Sequence, residues 1–140
     1  GNELGTIVFV SAEMGRFSTV GGVGVLVDEL TRSIAKRGYR AVVVTPYFNY
    51  NKYGHTDYLR SEDGFVYKGN ISVDISCSER QDFGVHTGKE HGVDLVFLHN
   101  FTYFPTPYSG DTADYKLRSV VALSKAALHA CVFLGIKPSM

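Results

Sequence analysis

A chain of 140 residues suits one domain, and 44% hydrophobic with 20% charged residues excludes a disordered polyelectrolyte. Fourteen basic residues balance fourteen acidic ones, which removes the general electrostatic argument for nucleic acid or an anionic membrane surface as a partner. Cys77 and Cys131 stand too far apart to form a metal-ligand spacing and read as free thiols.

Thr6 to Ala12 is a short β-branched and aromatic run ending in small residues, the pattern of a buried strand. A glycine-rich turn follows. Val23, Leu26, Val27, Leu30 and Ile34 then recur at helical spacing, so one apolar stripe is expected against a sheet. Arg37-Gly38 gives the helix a basic end and a glycine stop. Arg40 to Pro46 reads as a second buried strand, and strand, helix, strand at this spacing is a right-handed βαβ unit.

From Asn49 to His91 the chain has short runs separated by turn residues, among them Gly64-Phe65-Val66-Tyr67, Ile71 to Ile75 and Asp82 to His86. These predict a small antiparallel excursion. Val93 to His99 returns to the buried-strand pattern, and Asn100 to Thr112 reads as a loop rich in aromatics, proline, serine and glycine. Asp114 to Phe133 carries Leu117, Val120, Val121, Ala127, Leu128 and Cys131 at helical spacing, with Gly135 as its stop. Asn-x-Ser/Thr triplets at Asn70 and Asn100 read as chance occurrences, and no apolar run approaches the length of a membrane span.

Ser18-Thr19-Val20-Gly21-Gly22-Val23-Gly24 lies between the first strand and the first helix. Backbone N–H groups and the positive helix end at such a turn suit a phosphate, and glycines let the backbone approach a bulky ligand. A tight turn with close helix–sheet packing accounts for the same residues. No Gly-Lys-Ser/Thr triplet follows, so the turn is not a Walker loop. The second strand ends Thr45-Pro46-Tyr47 without the acid that would hold a ribose hydroxyl, which argues against NAD.

The stretch Ser11 to Gly24, with its Ser-Ala-Glu and paired glycines, resembles the opening motif of bacterial glycogen synthases and plant starch synthases. Asp114-Tyr115-Lys116-Leu117-Arg118, followed by Ala126-Ala127-Leu128, is similar to a second helical motif of that family. The resemblance implies an α/β, Rossmann-like three-layer domain with a mostly parallel sheet, the N-terminal half of a GT-B fold. It also implies one domain over residues 1–140, a fragment of a longer protein. The implied reaction moves glucose from ADP-glucose or UDP-glucose to the non-reducing end of an α-1,4-glucan, with retention and without metal or cofactor. The missing C-terminal domain is needed to close the cleft, so the chain alone is expected to be inactive. A diverged module that grips glucan or a partner without transfer is the other reading.

The resemblance places Thr19, Gly21 and Gly22 at the donor and Asp114 near the reacting sugar. Glu13 and Arg118 are candidates for the acceptor. His99 ends a strand and is a second candidate contributor to catalysis, or a plain surface or core histidine. Tyr103 offers a flat apolar face suited to stacking on an acceptor sugar. Each has a plainer role available: turn geometry, a helix cap for Glu13 or Asp114, an ion pair for Arg118, loop packing for Tyr103. The chain departs from the family at Thr19, Val25 and Tyr115, where the motifs carry lysine, aspartate and asparagine. A further expectation is an open sheet edge through which the isolated chain pairs with itself. Cytoplasm or plastid is the expected location.

Overall fold

The computed structural model describes residues 4–12, 22–47, 64–100, 102–104 and 113–138. In chain order the elements are β1 (Thr6–Val10), α1 (Gly22–Lys36), β2 (Arg40–Tyr47), β3 (Val66–Ser76), β4 (Glu79–Glu90), β5 (Val93–His99) and α2 (Ala113–Leu134). The five strands form one sheet in the order β1-β2-β5-β4-β3. β1, β2 and β5 run parallel, while β4 is antiparallel to β5 and β3 is antiparallel to β4.

β2 and β5 occupy the middle because their sequences are apolar on both faces. Ala41, Val43, Leu95 and Phe97 point to one side, and Val42, Val44, Val96 and Leu98 to the other; all are buried. The first set packs with Val27, Ile34 and Ala35 of α1, and the second with α2, giving three layers. Thr31 is buried at the α1 contact, where its hydroxyl donates to the Val27 and Asp28 carbonyls within its own helix. That back-bonding removes the cost of burying the hydroxyl.

Two helical phases differ from the pattern expected. On α1, Leu26 and Leu30 are exposed, at 63% and 46%, because the packed face is centred on Val27, Thr31, Ile34 and Ala35. On α2, Val120 and Leu128 point outward while Ala122, Leu123, Ala126, Ala127, Ala130 and Cys131 pack on the sheet. Alanines let a helix backbone approach closely, and that approach outweighs the larger apolar stripe. A helix that is apolar nearly all round leaves its phase open until the sheet selects one.

The antiparallel part is also larger than expected. The three short runs read from the sequence merge into β3 and β4, of eleven and twelve residues. Ile71, Val73, Ile75, Phe83 and Val85 supply the α2 face, and polar residues alternate with them. A two-residue turn links β4 to β5, with His91 at φ 53° and Gly92 at φ 80°. Two positive φ values are the type I′ geometry whose twist suits a hairpin. α2 closes in a Schellman motif: Ile136 N–H donates to Cys131 O, Gly135 N–H donates to Val132 O, and Gly135 has φ 71°.

Candidate functional site

In a sheet of this kind ligands sit beyond the carboxyl ends of the parallel strands. Those ends are Val10, Tyr47 and His99, with Tyr47 and His99 directly paired. Ser11 N–H donates to Val44 O at 3.0 Å, carrying the parallel alignment one residue past β1. α1 starts at Gly22, so the second glycine of the pair opens the helix that follows β1. Glu13, Thr19 and Gly21 lie outside the described residues. Asp114 and Arg118 fall in the first two turns of α2, and their side chains are likewise outside the description.

β4 continues past the end of β5. Its ladder with β5 begins at Gly84, opposite His99, so Glu79 to Phe83 project beyond the parallel strand ends together with their β3 partners. The hairpin therefore flanks the site. Where β4 passes His99, four rings gather on the α1 face. His99 lies 5.4 Å from Tyr47 and 6.1 Å from His86 between centroids, and His86 lies 5.7 Å from Tyr47 and 5.2 Å from Tyr67.

Burial pushes the His86 imidazole below its ordinary value, and the neighbouring His99 charge adds to the effect. His99 is lowered by burial. Both rings are therefore neutral at pH 7 and can exchange hydrogen bonds with uncharged hydroxyls. His86 Nε2 is buried and has no hydrogen-bond partner among the described residues. His99 keeps an exposed edge, so His86 carries more of the pH effect.

The sign follows from linkage. A histidine whose folded value is depressed binds fewer protons folded than unfolded, so stability falls as pH drops from about 6.5 through the folded values. The thermal midpoint is expected to drop between pH 7.5 and pH 5, and His86→Gln is expected to flatten that drop. An unchanged slope in the variant contradicts the assignment.

Asn100 fixes how the chain leaves β5. Its Oδ1 accepts from the N–H groups of Thr102 and Tyr103, and its Nδ2 donates to the Asp82 carbonyl. This turns the chain onto the α2 face, where Tyr103 and Phe104 are buried against Phe83. The Tyr103 hydroxyl donates to the Glu79 carboxylate, and Ser119 Oγ donates to the Tyr103 carbonyl. Tyr103, a candidate for an acceptor sugar, has its ring packed in the core, where it ties the loop to α2.

His86, Tyr67 and Tyr47 were not among the residues singled out from the sequence. Gly84 and His86 share one strand face, and that parity is the signal available for pairing them. Among the described residues no group of three or more His, Cys, Asp or Glu side chains could hold a metal. Two surface cavities, of about 590 and 440 Å³, share Arg40, Lys89 and Asp94. Arg40 and Asp94 face each other near the amino ends of β2 and β5, where Arg40 Nε donates to Asp94 Oδ2 at 2.7 Å. That is the wrong end of the sheet for the chemistry considered above.

Three layers, parallel strand ends at the same end of the sheet as the start of α1, and a flanking hairpin match the Rossmann-like half of a GT-B glycosyltransferase. The chain belongs to the starch synthase catalytic domain family, whose model matches residues 6–140. It is a glycogen/starch synthase-like glycosyltransferase domain. Over 98 residues it is 32% identical to a glycogen synthase of Streptococcus gordonii, and over 99 residues 28% identical to one of Streptococcus pneumoniae. Each alignment covers 70% of this chain and 19% of the relative, so the chain spans about a fifth of their length. Its fold matches the catalytic domain of starch synthase IV from Arabidopsis thaliana, solved with ADP and acarbose. The TM-score there is 0.76 at 20% identity, over 96% of this chain and 27% of that one. No helix among the described residues is long and apolar enough to cross a membrane.

Proposed function

We propose that this chain is the acceptor-side domain of a glucan synthase. The enzyme transfers glucose from ADP-glucose or UDP-glucose to the non-reducing end of an α-1,4-glucan, with retention and without a metal or other cofactor. The supporting observation is the gathering, at one end of the sheet, of the start of α1 at Gly22 and the strand ends at Tyr47 and His99. Gly21 and Gly22 approach the donor diphosphate through their backbone, with Thr19 adding one hydrogen bond. Glu13 and Arg118 hold the acceptor, and Asp114 and His99 stand near the reacting sugar. The donor's departing charge needs cations and amides around it, and these come from a second GT-B domain. The protein works inside the cell, in cytoplasm or plastid.

Transfer requires both halves of the cleft. Incubated with maltoheptaose and either nucleotide sugar, the 140-residue chain is expected to give no elongated glucan on chromatography. Elongation by the chain alone overturns the two-half reading. Among the described residues no strand pairs with the outer edge of β1, and this edge suits self-association of the isolated chain. Sedimentation as a monomer at high concentration counts against that.

One observation favours the second reading, a glucan-gripping module without transfer. Val25, where the family motif carries aspartate, is 47% exposed on the first turn of α1 and offers no polar contact. Val25→Asp together with Thr19→Lys separates the two readings. A gain in nucleotide-sugar affinity supports a donor site that has lost contacts, and no gain supports the module.

A further inference from the structure

β3 lies at the outer side of the sheet. In a regular strand, residues three apart point to opposite faces. Tyr67 and Asn70 nonetheless meet, with Tyr67 Oη donating to Asn70 Oδ1 at 2.5 Å. The pairing explains it: Tyr67 is opposite His86 but Gly69 is opposite Val85, so Lys68 is an extra residue in a bulge. Gly69 has φ 127°, a conformation that a side chain would resist.

Under the tyrosine lies Gly84. A methyl group there would stand 3.5 Å from Tyr67 Cε1, 3.5 Å from Asn70 Oδ1 and 3.3 Å from His99 Cβ. The ring thus lies against the bare strand at ordinary contact distance, held by its hydroxyl at one end and flanked by His86. Even so, Tyr67 remains 55% exposed. An aromatic that only covered a glycine would need neither the bulge nor the hydroxyl anchor.

We infer that Tyr67 is a stacking platform for a pyranose ring of an α-glucan, with the exposed Asn70 amide donating to a sugar hydroxyl at its rim. The inference rests on the proposed glucan-binding role and assigns a position to it, on the hairpin beside His99 rather than in the glycine turn. A pyranose fits because it presents a flat apolar C–H face bordered by hydroxyls, and the rings around Tyr67 are neutral near pH 7. A nucleotide fits less well. Arg80, a cation on this face of the hairpin, is already engaged by Ser72 Oγ and Asp74 Oδ1.

The test uses maltoheptaose as the probe. The chain contains no tryptophan, so a Tyr67→Trp variant carries a single indole whose emission reports on that position alone. Saturable change in that emission with maltoheptaose, and none with ADP, is expected. In calorimetry, Tyr67→Ala is expected to weaken maltoheptaose binding by about tenfold or more, while Tyr67→Trp keeps it. Unchanged affinity in Tyr67→Ala, or a silent indole while calorimetry shows binding, overturns the platform and leaves the glucan-binding role standing. No binding by the unmodified chain overturns both.

Discussion

Phe97→Ala is expected to remove about 3–5 kcal/mol of stability, the usual cost of truncating a buried phenylalanine. Phe97 is fully buried in β5, the middle strand, with Thr45 opposite it on β2 and His86 opposite it on β4. Its ring meets Phe65 edge to face at 5.8 Å, and together they fill the α1 layer beside Leu95 and Val43. Collapse into the space is hindered because the backbone is bonded to strands on both sides. Domains of this size are stable by only about 5–15 kcal/mol, so the variant should be near its unfolding threshold at room temperature. Urea unfolding followed by circular dichroism measures the loss. Leu128→Ala, at a residue 72% exposed, is the matched comparison and should change stability by less than about 0.5 kcal/mol. Equal midpoints for the two variants would contradict the packing described.

Gly88→Ala is expected to cost about 1–3 kcal/mol by overpacking. A Cβ at this position would stand 2.3 Å from Cδ1 and 2.4 Å from Cε1 of Phe65, and 3.1 Å from its Cγ. The ring cannot tolerate that contact and has to move, which gives up its burial and its edge contact with Phe97. The two residues therefore act as a unit. The double variant carrying Phe65→Ala and Gly88→Ala should lose less than the two single losses summed, by about 0.5–3 kcal/mol. Additive losses would show that the overlap is not the cause.

Legibility in the sequence followed the chemistry of each strand. β2 and β5 stand out because a strand buried on both faces must be apolar at consecutive positions, as in Ala41 to Val44 and Leu95 to Leu98. Their carboxyl ends, and so the region of the site, followed directly. β3 and β4 were broken into pieces because one face is polar and because glycines at 69, 84 and 88 interrupt the alternation. Those glycines are not strand ends. Two of them make room for an aromatic ring, Gly69 for Phe133 and Gly88 for Phe65, while Gly84 lies against Tyr67 at ordinary contact distance. The meeting of Tyr67, His86 and His99 depends on a bulge and a register that no local pattern encodes. The phases of α1 and α2 are only partly legible for a related reason: Val27, Ile34, Ala127 and Cys131 pack as their spacing suggests, while Leu26 and Leu128 look like core residues until the sheet chooses a face.

The central claim is that the carboxyl end of this sheet holds glucan and that it does so without nucleotide. A titration of the chain with maltoheptaose, and separately with ADP, UDP and ADP-glucose, followed by amide chemical shifts, tests it most directly. Shifts at Tyr67, His86 and His99 with maltoheptaose alone are the expected result, with any nucleotide response confined to Gly21 and Gly22. Shifts from nucleotides at the hairpin, or none there with maltoheptaose at saturating concentration, would contradict it.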